Sequence, residues 1–415
     1  MEPLKQRCCQ SATRADNGGV TSNDPGPHGT EGALPAPSGF NLPALRGHNT
    51  ALLLGLLRAA GADGVSRLEL AERSGLTPQA VSKITARLRA GGLAADAGRR
   101  ASTGGKPRTV LRLVPGARHA VGLHLDRDES TAVLADLAGT PVAVRRAPLA
   151  FGAGPGAVLE RVAEEVAAVR AQAVAPQVLG VGVACPGPLD HASGVLHRVT
   201  GAPHWDGFPL RDALAERLGL PVVVDKDTNA AALGLAGGAA DGGAGSFAYL
   251  HLGTGLGAGL VLDGGLYRGP HTGAGEFGHQ VVQWDGPLCG CGRRGCVEAL
   301  CLAAVARGDL PGAARVLGVG AANLVELLDV ERVLLGGRTV WEWPDVFVAG
   351  VAGELAAQAA ARGRTGGPVP VATAAGGARA VADGAAQLVL GPLFGPPRTR
   401  PGRREMTNHP GAKII

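Results

Sequence analysis

The stretch Ser246–Gly269, SFAYLHLGTGLGAGLVLDGGLYRG, decides the fold class. Two apolar runs of strand length, SFAYLHLG and GAGLVLDGG, lie around a Gly-Thr-Gly turn. Apolar runs this short, bounded by glycine, read as strands, because helices are usually longer. Outward from it the pattern repeats. AVGLHL, TAVLADL, VLGVGVAC and PVVVDK are further strand candidates, and AVLERVAEEVAAVRAQA and LRDALAERLG are helical ones between them. Short apolar strands alternating with helices imply an α/β domain, which we place at 118–393.

The 415 residues are enough for two or three domains with a sizeable core. Glycine and alanine dominate and aromatic residues make up 3%, which points to close backbone packing rather than an aromatic-lined pocket. The net charge of +5 excludes a polycation, so the distribution of charge matters more than its sum. No apolar run reaches membrane-spanning length, and the N-terminus lacks the apolar centre of a signal peptide. Seven cysteines, three of them clustered, do not form a secreted disulfide framework. A soluble cytoplasmic protein is expected. Residues 1–45 read as a disordered extension, and 394–415 as a basic, proline-rich, flexible tail.

Residues 46–115 differ in character from the rest. Between 47 and 114 stand eleven Lys and Arg against four Asp and Glu, a local excess larger than that of the whole chain. The pattern is three short helices. ALLLGLLRAAG is the first. SRLELAERSG opens on Ser66 as N-cap. TPQAVSKITARLRAGG opens on Thr77 with Pro78 at the first helical position. A turn at Gly75 joins the second to the third, as in a helix-turn-helix. Val81, Ile84 and Leu88 share one face of the third helix, leaving Gln79, Ser82, Lys83 and Arg87 for base edges and phosphates. Two strand-like runs around a basic, glycine-rich turn follow. They read as a wing, with Arg99, Arg100, Lys106 and Arg108 near phosphate or minor groove. Duplex DNA is the expected partner; the alternative is a small helical domain with an ordinary basic face.

The segment after the wing resembles the ROK family (repressors, open reading frames and sugar kinases). GVGVACPGPLD, PVVVDKDTNAAALG, LGTGLGAGLVLDGGLYRG, GEFGH, CGCGRRGCVE and NLVELLDVERVLLGG occur in the family's order. With the basic head, the chain is similar to the repressor branch. The resemblance implies a two-lobed actin-like ATPase fold of ribonuclease H-like lobes. It also bears on the cluster of His279, Cys289, Cys291 and Cys296. One imidazole and three thiolates suit a closed tetrahedral zinc site with no open position for water, hence a structural ion. The family's zinc signature matches these four positions. Glu276, His279 and Glu298 match residues that, with an Asn-Asp pair, touch sugar hydroxyls in sugar-binding relatives, and Asp227 matches the Asp of that pair, the general base of the kinases.

Three departures stand out. Lys226 occupies the place of a usual asparagine next to Asp227; an ammonium only donates, and can pair with a carboxylate. His124 stands where the kinases have a magnesium-organising Asp, and Asp126, Arg127 and Asp128 replace a Gly-Gly-Thr turn that approaches ATP phosphate. The second phosphate turn, Gly253-Thr254-Gly255, is intact. Between Glu298 and Asn323 the chain is shorter than the family pattern by about a helical pair. A phosphoryl-transfer site needs positioned donors and charge neutralisation, so no catalytic residue is expected. The expected function is a sugar-responsive transcriptional regulator, a repressor, acting as a homodimer or dimer of dimers. The alternatives are an ATP-dependent, glucokinase-like sugar kinase carrying a DNA-binding head, for which Asp227 speaks, and a degenerate scaffold.

Overall fold

The structure is a computed structural model describing residues 42–102, 105–173, 177–237, 245–363 and 366–395, without the side chains of 42–46 and 100–107. The readings of 1–41 and 396–415 lie outside the described residues. By its internal contacts the chain divides into Met1–Leu45 and Arg46–Ile415. Apart from the first residues of helix α1, every described strand and helix belongs to the second unit.

Helix α1 spans Leu42–Ala60, so it begins inside the segment expected to lack structure and runs well upstream of ALLLGLLRAAG. Pro43 sits in its first turn, where a missing N–H costs no helical hydrogen bond. Strand β1 (Val65–Ser66), α2 (Arg67–Ser74), α3 (Pro78–Ala90), β2 (Ala94–Ser102) and β3 (Gly105–Leu113) complete the head. The helix starts fall where their caps require. Ser66 Oγ accepts from Glu69 N at 3.3 Å, and Glu69 Oε2 accepts from Ser66 N at 2.7 Å, a reciprocal capping box. Thr77 caps α3, and Gly75 ends α2 with φ 74°. The three strands form one antiparallel sheet in the order β1-β3-β2.

Two five-stranded sheets follow. The first is built from β4 (His119–Leu125), β5 (Glu129–Asp136), β6 (Pro141–Pro148), β7 (Val178–Cys185) and β10 (Val222–Lys226), with α4 (Pro155–Arg170), the small hairpin β8 (Leu189–Asp190)–β9 (Val195–Leu196) and α5 (Leu210–Leu218) between them. After α6 (Asp227–Gly237) comes the second, from β11 (Phe247–Leu252), β12 (Leu256–Leu262), β13 (Gly265–Tyr267), β14 (Arg332–Gly336) and β15 (Val371–Thr373). Its helices are α7 (Val297–Ala306), α8 (Leu310–Leu328), α9 (Arg338–Glu342) and α10 (Pro344–Arg362), and α11 (Ala380–Leu390) closes the chain's regular structure.

The strand orders are β10-β7-β4-β5-β6 and β13-β12-β11-β14-β15. Counted within its own lobe, each reads 3-2-1-4-5, with the first three strands antiparallel and the remaining pairs parallel. This duplicated mixed α/β sheet is the actin-like arrangement. All six strand runs picked out in the sequence are strands. Strand β6 was missed because proline bounds both of its ends and much of it is exposed, so it carries no apolar run. The segment expected to be shortened runs as α7, the turn Arg307–Asp309 and α8, with no further element between.

The glycine and alanine content finds its use between the lobes. Helix α6 packs on the second sheet, α11 on the first, and the two pack on each other. Ala230, Ala231, Ala232 and Ala385 are fully buried there. A Cβ on Gly384 would overlap the Ala230 carbonyl, and one on Gly182 the Ala385 carbonyl, so contact runs backbone to backbone. The core of the head is continuous with that of the first lobe. Leu53, Leu57, Leu70, Val81, Leu88 and Leu111 form one cluster with Val133, Leu137, Ala386 and Phe394 of the first lobe. Each fully buried leucine contributes about 1.5–3 kcal/mol, so the head is seated on the first lobe rather than tethered to it. Arg58 lies 4.0 Å above the Phe394 ring. Among the described residues no helix is long and apolar enough to cross a membrane.

Candidate ligand cleft and metal cluster

Strand β10 ends in the cleft between the lobes and hands over to α6 at Asp227. The buried anchor of this junction is Asp225, which the sequence reading missed. Its carboxylate is fully buried and accepts from Lys226 N (2.8 Å), Asn229 Nδ2 (2.8 Å) and Arg268 Nε (2.7 Å). An acid inside the apolar run PVVVDK was the available signal, since buried charges demand partners. Asp227, one residue past the strand, lines the cleft, and its Oδ1 accepts from Thr228 N at 2.7 Å.

Lys226 behaves as its chemistry required. Its buried ammonium donates to Glu276 Oε1 (3.0 Å) and to the Ala274 carbonyl (2.6 Å). Glu276 therefore reaches the cleft already paired. Glu298, in the first turn of α7, accepts from Leu256 N at 2.9 Å. Asp227, Glu276, His279 and Glu298, the four residues singled out for a sugar, line one cleft together with Thr200 and Arg127.

His279, Cys289, Cys291 and Cys296 also meet. One ligand atom from each lies within 4.8 Å of all the others, so the group could hold a metal ion. Cys289 Sγ is 3.6 Å from His279 Nδ1, and Cys291 Sγ is 3.7 Å from Cys296 Sγ. The loop closes through Cys289 N to Arg293 O (2.7 Å), Gly295 N to Pro287 O (2.9 Å) and Val282 N to Gly295 O (2.9 Å). Gly295 has φ 66°, and a Cβ there would overlap the Gln283 carbonyl. Cys296 is the N-cap residue of α7, which puts Glu298 just behind the cluster, its Oε1 3.9 Å from Cys289 Sγ. Cleft and cluster share His279.

The turn between β4 and β5, Asp126-Arg127-Asp128, holds the least expected contact. Arg338, at the start of α9 in the other lobe, donates to Asp128 at 2.6 and 2.8 Å and to Asp126 at 3.1 Å. Thr254 Oγ1, from the intact turn, donates to Asp126 Oδ1 at 3.0 Å. The two anions thus form a clasp across the mouth of the cleft. Burial raises the Asp126 pKa, but the His124 imidazole, the Arg127 N–H and the Thr254 hydroxyl together hold it below the usual carboxylate range. Asp128 is held low by the Arg338 hydrogen bonds. Burial pushes the His124 imidazole pKa down, against the pull of Asp227 and Asp126, and its ring lies 6.3 Å centroid to centroid from His251. His251 Nδ1 in turn lies 2.9 Å from Tyr249 Oη.

The clasp has a pH signature. Both carboxylates have folded pKa values below their unfolded value of about 3.9, so the stability they contribute is complete above that value and fades as pH falls through the folded ones. Arg338→Ala should therefore lower the Tm more at pH 7 than at pH 3. Melting curves at both values check this; an equal deficit at both would mean packing rather than charge.

In the head, Gln79, Ser82, Lys83 and Arg87 are all exposed on one side of α3, while Val81, Ile84 and Leu88 are buried. Arg87 Nη2 lies 3.4 Å from Thr50 Oγ1. Arg99 on β2 and Arg108 on β3 are exposed; the side chains of Arg100 and Lys106 lie outside the described residues.

Residues 121–307 match the model of the ROK family. The chain is 29% identical to the xylose repressor of Caldicellulosiruptor bescii over 238 residues, 56% of this chain and 59% of that protein's length. The crystal structure of a ROK hexokinase from Thermus thermophilus aligns at 30% identity and a TM-score of 0.53, over 65% of this chain and 97% of the hexokinase. A ROK family transcriptional regulator, described as a homolog of the E. coli MLC protein, aligns with a TM-score of 0.68 at 22% identity. It covers 84% of this chain and 97% of its own, a likeness of fold.

Proposed function

The chain belongs to the ROK family, and from that premise we propose that it is a sugar-responsive DNA-binding repressor acting in the cytoplasm, not a sugar kinase. The observation that carries this reading is the head. Helices α2 and α3, joined at Gly75, with α1 and the three-stranded sheet, have the order of a winged helix-turn-helix at 46–115. The exposed side of α3 offers Gln79, Ser82, Lys83 and Arg87 to a major groove, and Arg99 and Arg108 are exposed on the wing strands, which also carry Arg100 and Lys106. The curated relative named a xylose repressor and the regulator-like fold over 84% of the chain support it.

In this reading, 118–393 is the ligand domain, flanked by the 1–45 extension and the 394–415 tail. Asp227, Glu276, His279 and Glu298 would bind the sugar or a derivative. His279, Cys289, Cys291 and Cys296 would hold one Zn2+. For tetrahedral Zn–S bonds of about 2.3 Å, sulfur atoms stand about 3.8 Å apart, close to the Cys291–Cys296 spacing. With four protein ligands the ion supplies shape to the cleft wall, not chemistry. Because the head shares a core with the first lobe, a change in lobe angle would move it as a unit. On a homodimer or dimer of dimers this would alter the spacing of the heads, where half-sites recur at about one helical turn.

The clasp argues against catalysis. Arg338, Asp126 and Asp128 fill the mouth where the family's kinases approach ATP phosphate, and the remnant turn Gly253-Thr254-Gly255 spends its hydroxyl on Asp126. The expected result is no sugar-dependent ADP release above background, where kinases turn over at about 1–100 per second. ATP turnover with a sugar panel, run beside a gel shift on DNA recovered with the protein, tests both halves. Robust turnover lost in Asp227→Asn would reinstate the kinase; absence of any DNA binding would defeat the repressor.

A further inference from the structure

Two cations line the cleft. Lys226 is engaged by Glu276. The other, Arg127, is half-buried, and its guanidinium has no hydrogen-bond or ion-pair partner among the described residues. Its backbone is held: its N–H donates to Asp126 Oδ1 at 2.7 Å, and its carbonyl accepts from Phe151 N at 3.1 Å. Its Nη1 lies 3.3 Å from where a Cβ on Gly201 would stand, against the first lobe's wall. The carboxylates on either side of it, Asp126 and Asp128, are both taken by Arg338 from the opposite lobe. In the sequence Asp-Arg-Asp the arginine would ordinarily pair with one of its two neighbours. Here the cross-lobe clasp takes both neighbours, and Arg127 remains in the cleft lining with its guanidinium unengaged among the described residues.

A half-buried guanidinium in a cleft with no protein acceptor keeps its donors for a ligand. Its planar fork matches phosphate or carboxylate in a two-point contact. Elsewhere in the cleft, Lys226 cancels the Glu276 charge that would repel an anion. Asp227 has no ion-pair partner among the described residues and accepts only from its own helix, so it still offers an oxygen to a hydroxyl. One molecule satisfies both ends. Resting on the sugar-site reading above, we infer that the effector is an anionic sugar, whose phosphate or carboxylate group is clasped by Arg127 while its hydroxyls reach Asp227.

The test is calorimetric titration of the full-length, zinc-containing protein with aldopentoses and aldohexoses, their monophosphates, their uronic acids and inorganic phosphate. A charge-assisted fork should make one anionic sugar bind about ten-fold or more tightly than its neutral parent, less so at high salt. The arms separate phosphate from carboxylate. In Arg127→Ala the preference should collapse to within about two-fold, and Arg127→Lys should restore part of it, since a point charge replaces the fork. Zinc content and Tm confirm that both variants are folded. The inference is overturned if the neutral parent binds as tightly as its derivatives, or if the preference survives in Arg127→Ala; the sugar site then still stands. Inorganic phosphate binding as tightly as any sugar phosphate also overturns it. Failure of every sugar, neutral or anionic, to bind removes the sugar site together with the inference.

Discussion

In Lys83→Ala, Arg87→Ala, operator affinity should fall about 100-fold or more, since each lost contact is worth about 1–3 kcal/mol. Both side chains are exposed on α3, whose buried face is Val81, Ile84 and Leu88, so the fold should be untouched. Arg87 gives up only a long hydrogen bond to Thr50. If both residues contact phosphate, the dependence of log affinity on log salt should flatten by about two. The operator is first recovered by mapping DNA bound to the wild type. Fluorescence anisotropy over a salt series then measures affinity and slope together. An unchanged affinity in the double variant would move the DNA contact off α3.

The second large effect concerns the metal cluster. Elemental analysis of protein purified without added metal should find one zinc per chain. Cys289→Ser should lose it. In the loop from Gln280 to Val297 turn hydrogen bonds set much of the shape, and Trp284 and Leu288 are exposed. Structural zinc contributes about 10–16 kcal/mol to small peptides; if about 5 kcal/mol of that is realised here, the Tm falls by roughly 10 °C. Cys301 is fully buried but outside the cluster, so Cys301→Ala should keep its zinc whatever it does to stability. Protein that is folded and carries no zinc would end the assignment.

The cluster that could hold a metal was legible because its residues crowd into one loop: His279 and three cysteines within eighteen residues, separated by glycines that let the backbone turn. The clasp was not. Asp126 and Asp128 read as anions facing the site of a polyanion, yet the structure spends them on Arg338. That partner lies 210 residues from Asp128, in a chain with 40 Lys and Arg and 35 Asp and Glu, where charge alone selects no pairing. Lys226 shows the intermediate case. Its chemistry demanded a carboxylate, but only the fold selected Glu276.

What the sequence determined by itself is local. Helix starts at Ser66 and Thr77, the turn at Gly75, the strands around Gly253-Thr254-Gly255 and the metal loop each depend on interactions spanning a few residues. Propensity, capping and spacing act there directly. The order of strands within each lobe, the glycine-to-backbone packing of α6 on α11, the merging of the head with the first lobe and the lack of a partner for the Arg127 guanidinium among the described residues were decided by tertiary structure. Each depends on which distant surfaces are brought together. Burial then sets the energy of a charge or a methyl group by its neighbours in space, so Asp225, in an apolar strand, becomes a buried anchor, while Arg127, between two carboxylates, is left for a ligand.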